Sequence, residues 1–142
     1  MKLRRTMMFV LAFGLFLTPS LAHSQTVTHH VVFALTSSDE ADWKLTLGNI
    51  RNVLTAFEPG STQVEVVAYG PGLAFVKKGS SSEQEITALI AKRVRFVACE
   101  HSMRMQHITA ADLTPGVETV PSGVAEVVKA QERGWSYIKA GR

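Results

Sequence analysis

The chain has 142 residues, 46% of them hydrophobic and 19% charged, with a formal net charge of +3 at pH 7. Setting aside Lys2, Arg4 and Arg5 near its start takes the 15 basic residues to 12, matching the 12 acidic ones. With the charges balanced, net charge implies no nucleic-acid or acidic-membrane partner, and a chain of this size buries a single hydrophobic core but hardly two.

The first residues have the order of an export signal. Three cations precede an apolar run from Met7 to Leu17, and small residues at Ser20 and Ala22 fit cleavage before His23. As a helix that run spans about 16 Å, far short of a bilayer core of about 30 Å. Residues 1–22 are therefore expected to be a removable signal peptide. Residues 23–142 form a single exported domain, periplasmic or secreted, with no membrane contact once the signal is gone.

His29 to Leu35 is a nearly unbroken apolar run, the mark of a strand covered on both faces in a parallel sheet. Ser37 and Glu40 stand at capping-box spacing, and the helix after them carries a stripe at Trp43, Leu47, Ile50, Leu54 and Phe57. Pro59-Gly60 ends it. Val64 to Tyr69 is a second strand, closing into Gly70-Pro71-Gly72. Ser82 and Glu85 form another capping-box pair, opening a helix with Ile86, Leu89 and Ile90 inward. Val94 to Cys99 is the third strand, followed by a short helical segment from about His101 to His107. Val117 to Val120 is a brief fourth strand. A last helix from Pro121-Ser122 aligns Val124, Val127, Val128, Gln131, Trp135 and Ile138. Strands alternating with amphipathic helices give βαβ units, hence an α/β fold on a parallel sheet.

Ligands of open parallel sheets bind beyond the carboxyl ends of the strands. Here that rim collects Ser37 and Ser38, the Tyr69–Gly72 turn, Cys99, and Ser122. Cys99 is the sole cysteine, so no internal disulfide forms and the thiol is free, shared between chains, or chemically used. It sits where a strand hands over to a helix, whose free amides stabilise a thiolate; His101 and Arg104 are near enough in sequence to add positive charge. Glu100 opposes them if its carboxylate faces the sulfur. The competing reading is a small buried core residue.

Tyr69-Gly70-Pro71-Gly72 has two readings, a close backbone approach to a ligand or a plain turn. It matches no phosphate loop and no dinucleotide fingerprint, so no nucleotide cofactor is expected. Cys99, His101 and His107 lack a recognised ligand spacing, and His29-His30 lies at the far end of its strand, so no metal is expected either. Asn49 and Asn52 read as solvated polar residues. The rim holds neither a serine triad nor a pair of carboxylates.

Val66-Val67-Ala68-Tyr69-Gly70-Pro71-Gly72, Phe96-Val97-Ala98-Cys99-Glu100, Met103-Arg104 and Pro121-Ser122-Gly123-Val124 together resemble the DsrE/DsrF-like family, across nearly all of residues 29–139. The resemblance implies a three-layer, flavodoxin-like parallel sheet of four or five strands with helices on both faces, assembled into trimers or hexamers. It also implies a sulfur-relay role, with the cysteine matching Cys99 carrying sulfur as a persulfide for a thiol-containing partner protein. Ser38, Tyr69, Gly70, Gly72, His101 and Arg104 would then line the substrate site. The export signal departs from the cytoplasmic members of the family. A non-enzymatic small-ligand or partner-binding module of the same fold is the alternative.

Overall fold

The protein is described by a computed structural model covering residues 28–57 and 60–141; the expected signal peptide lies outside the described residues. The order of elements is β1 (His29–Leu35), α1 (Glu40–Ala56), β2 (Thr62–Ala68), a 3₁₀-helix over Gly70–Val76, α2 (Glu83–Ala91), β3 (Arg95–Cys99), α3 (Glu100–Met105), β4 (Glu118–Val120), α4 (Gly123–Glu132) and β5 (Ser136–Ala140). All five strands are parallel, in the order β4-β3-β2-β1-β5. Among the described residues, no helix is long and apolar enough to cross a membrane.

That order decides the layers. From β1 to β4 each strand lands beside its predecessor, always in the same direction. Right-handed crossovers then put every intervening helix on one face. Trp43, Leu47 and Ile50 of α1, Leu73 and Phe75 of the 3₁₀-helix, Ile86 and Leu89 of α2 and Met103 of α3 accordingly share one core with Phe33, Val66 and Phe96 of the sheet. Trp43, Phe75 and Phe96 run through it as tilted rings with centroids 5.8 and 6.2 Å apart. The last crossover reverses direction to reach the far side of β1, so α4 is carried to the opposite face. There Val127 and Ala130 pack on Val32, Ala34, Val67 and Val97.

Several local expectations give way to other contacts. α1 is capped by Asp39, whose Oδ1 accepts the Ala41 N–H at 2.8 Å, while Ser37 Oγ accepts the N–H of Asp39. Asp39 stands immediately before the helix, where its carboxylate reaches the first amides, whereas Ser37 is two residues further out. Ser82 caps α2 in an αR conformation with no side-chain bond; Glu83 folds back to accept the Gly79 N–H at 2.7 Å. The final helix stops at Glu132 instead of running on to Ile138, because Gly134 turns the chain at φ +83° and residues 136–140 join the sheet as β5. Val124 and Val128, expected to face inward, are 56% and 47% exposed.

Gly70 and Gly72 both open the 3₁₀-helix, for different reasons. Gly70 adopts φ +55° with open space where a side chain would be. At Gly72 an added Cβ would lie 2.2 Å from the carbonyl oxygen of Leu35, backbone against backbone. Gly70→Ala should therefore cost about 1 kcal/mol of conformational strain, and Gly72→Ala about 3 kcal/mol, because strand and helix must part. Urea unfolding of both variants checks the ranking; equal losses would contradict it.

Candidate functional site

Cys99 ends β3 and serves as the N-cap residue of α3. Along β3 side chains alternate, so Val97 and Cys99 face the α4 layer while Phe96 and Ala98 face the thicker core. The sulfur thus points toward the start of α4. An added Cβ on Gly123, the first residue of α4, would lie 3.1 Å from the Cβ of Cys99 and 3.0 Å from that of Tyr69. Only a residue without a side chain lets the amide end of α4 come this close.

Cys99 is 5% exposed. Burial pushes it up, but the Ser102 hydroxyl and the backbone N–H groups of Gly123, Ser102 and His101 donate toward the sulfur, and together they leave Cys99 below its ordinary pKa. None of these contacts has the geometry of a conventional side-chain cap. They act as a collar of donors around a large, soft acceptor.

A second layer holds the collar. Ser102 Oγ accepts the Gly70 N–H at 2.9 Å, and Gln106 Nε2 donates to the Gly70 carbonyl at 2.8 Å. Ser102 and Gln106 are four residues apart, so α3 and its C-cap grip both polar groups of one turn residue. Glu100, next to the cysteine, is turned away: Thr119 of β4 donates to its Oε1 at 2.8 Å. Tyr69 stands beside the sulfur. Burial raises its phenol pKa, with Tyr137 and Cys99 adding to the effect, so Tyr69 is a neutral neighbour.

Of the residues singled out in the sequence, Cys99, Tyr69 and Gly70 come together. His101 contributes its backbone N–H while its side chain is exposed, and Arg104 is exposed in the last turn of α3. The expected positive charge from these two is not among the main influences on the sulfur; neutral donors fill that place. Gly72 faces the end of β1 instead of the thiol. Ser38 is exposed on the loop after β1, and β2 lies between that strand and β3. Ser102, Gln106 and Gly123 were missed. Ser102 had a readable signal, since it stands three residues after a strand-end N-cap, where capping contacts form. Gly123 stood in the sequence only as part of the family pattern, and its contact with Cys99, like the bond of Gln106 to Gly70, is long-range.

His107, weighed with Cys99 and His101 as a ligand set and set aside on spacing, is exposed at φ +55°. Among the described residues no three His, Cys, Asp or Glu side chains converge to hold a metal. His29 and His30 stack on Phe57 and Trp135, at the opposite end of the sheet from Cys99.

The DsrE/DsrF-like family model matches residues 29–140. The chain belongs to the DsrE/DsrF-like family. It is also similar to a solved protein of unknown function, MTH1491 from Methanobacterium thermoautotrophicum, at 35% identity and a TM-score of 0.76, covering 78% of this chain and 98% of that one. The ychN protein from E. coli shares 14% identity at a TM-score of 0.59, covering 79% and 98%. BT1422 from Bacteroides thetaiotaomicron, of unknown function, shares 10% at 0.57, covering 78% and 93%. These last two show the fold alone. A comparison with curated proteins finds no match. The DsrE/DsrF-like family is a sulfur-relay-related family, and the α/β sheet with helices on both faces is the fold it implies.

If the collar sets the thiol's acidity, Ser102→Ala moves the pH profile of Cys99 alkylation to higher pH. A hydrogen bond to a charged group contributes about 1.5–3 kcal/mol, so alkylation near neutral pH should slow by about tenfold or more. Ser102→Thr, which keeps the hydroxyl, should restore most of it. An unchanged profile in Ser102→Ala would show that the hydroxyl does not act on the sulfur.

Proposed function

We propose that this DsrE/DsrF-like protein accepts a sulfane sulfur on Cys99 and passes it to another thiol, in the compartment to which residues 1–22 direct it. The observation that carries the reading is the donor collar around a lone strand-end cysteine in a sulfur-relay-related family. In the first step the Cys99 thiolate attacks the outer sulfur of a donor persulfide, R–S–SH. The new bond to Cys99 forms as the donor's S–S bond breaks, and the electron pair leaves with R–S⁻. The proton stays with the transferred sulfur, and there is no net oxidation or reduction.

In the second step an acceptor thiolate attacks that outer sulfur and Cys99 departs as thiolate. The same hydrogen bonds favour both steps, since a stabilised thiolate is both populated as nucleophile and a better leaving group. An S–S bond of about 2.05 Å carries the reacting atom outward from the collar, toward an approaching partner. Tyr69 and Gly70 would border that approach, with the exposed His101 and Arg104 of α3 beyond them; the acceptor would be a thiol-containing protein.

We also propose self-assembly into trimers or hexamers. The support is the uneven covering of the sheet: among the described residues α4 is the one helix on its face, and Val124, Val128 and Tyr137 are 56%, 47% and 46% exposed there. One observation favours a second reading, a binding module without sulfur transfer. Cys99 is nearly buried, and neither of the two clefts described on the surface is lined by it.

Native mass spectrometry of the purified protein, before and after incubation with a persulfide donor, tests these readings together. The carrier reading predicts one added sulfur per chain, removed by a small thiol and absent in Cys99→Ser. The assembly reading predicts trimers or hexamers in both samples. An unmodified Cys99 across donors and pH would overturn the carrier and leave the binding module; a monomer would overturn the assembly.

A further inference from the structure

At the end of the sheet opposite Cys99 the surface opens into a cleft of about 370 Å³. One wall is apolar, formed by Leu54 of α1 and Val64 of β2. Thr62, at the start of β2, lines it with a hydroxyl oxygen that is buried and has no hydrogen-bond partner among the described residues. A buried hydroxyl left unpaired costs stability, and an incoming polar group would satisfy it.

The charge of this cleft is one-sided. Lys92, Arg93 and Arg95 line it, and no carboxylate among the described residues does. Arg95 is engaged already, bonded to the buried Glu65 at 2.8 Å and to Glu118 at 3.0 Å. Lys92 and Arg93 are exposed, and among the described residues no ion pair joins either to a carboxylate. Two exposed cations with no carboxylate partner among the described residues therefore stand beside an apolar wall and an unsatisfied hydroxyl.

Arg93 is also an unexpected residue for its place. α2 ends in a Schellman motif, with the Val94 N–H bonded to the Leu89 carbonyl at 3.0 Å and the Arg93 N–H to the Ile90 carbonyl at 2.8 Å. The position so bonded normally carries glycine, yet here an arginine occupies it at φ +68°.

We infer that this cleft binds a small organic carboxylate with an apolar body, its head held by Lys92 and Arg93 and its chain lying on Leu54 and Val64. An inorganic anion would leave the apolar wall unused, and an uncharged lipid would leave the cations unused. The guanidinium's planar fork suits a carboxylate, and Lys92 adds a point charge. The site is separate from the sulfur chemistry. Arg95 begins β3 and Cys99 ends it, placing the two about 13 Å apart along the strand.

The test uses anilinonaphthalene sulfonate, an amphipathic anion that brightens in apolar sites, displaced from the purified protein by octanoate, octanol or inorganic phosphate. Octanoate should displace the probe at a concentration about tenfold lower than octanol, and phosphate should not displace it. Arg93→Gly removes the cation while giving the Schellman position its preferred residue, so the fold should be at least as resistant to urea. Combined with Lys92→Ala, it should erase the preference for octanoate over octanol and leave Cys99 alkylation unchanged. Equal displacement by octanoate and octanol in the wild type would overturn the proposal. So would an unaltered preference in the double variant, or displacement by phosphate alone, which would mean an adventitious ion only.

Discussion

Taking a sulfur out of water costs the thiolate its hydration, and at Cys99 that loss is offset by donors the fold brings from three directions. Two amides belong to the helix that the cysteine itself starts, one belongs to the first residue of α4, and the hydroxyl comes from Ser102. No single contact does this. The balance between burial, which raises the pKa, and donation, which lowers it, is what separates a reactive thiol from an ordinary buried one. Everything proposed about sulfur transfer depends on donation winning.

Topology is what assembles the collar. Had the chain continued past β4 in the same direction, right-handed crossover would have placed α4 with the other helices. Its return to the far side of β1 carries it to the other face, where its first residue meets the cysteine on the α4 side of β3. Among the described residues, the same reversal leaves that face covered by a single ten-residue helix. Below, on the same face, Glu65 is buried with Arg95 as its partner, and burial still raises its pKa. The Cys99 sulfur at one end and the Glu65–Arg95 pair at the other share this face of the sheet.

Much of this was legible from residue order alone. The apolar runs of β1 to β4 and the stripe of α1 through Ile50 follow from burial on both faces and from helical period, signals that tertiary contacts reinforce. The strand-to-helix position of Cys99 was readable for the same reason, and the family resemblance agreed with it. The end of the chain was misread because Val124, Val128 and Ile138 continue a helical spacing. Apolar residues on an exposed face obey the same period as buried ones, and Gly134 is a single weak mark against the pattern. The capping boxes failed because sequence shows which side chains are capable of capping, whereas the backbone angles at Asp39 and Ser82 decide which do.

The electrostatics were less legible. His101 and Arg104 are neighbours of Cys99 in sequence, yet their charges are not among the main influences on the sulfur, while Gly123, distant in sequence, touches it. Neutral donors and cations differ in a measurable way, because salt screens exposed charges and leaves donors around a nearly buried sulfur largely unaffected. The most direct measurement is a pH titration of the labelled β-carbon of Cys99 by NMR, at low and at high ionic strength. A midpoint below that of an ordinary thiol, the same in both salts, is the predicted result. A midpoint at or above the ordinary value would contradict the collar, and one that rises steeply with salt would assign the thiolate to charged side chains instead.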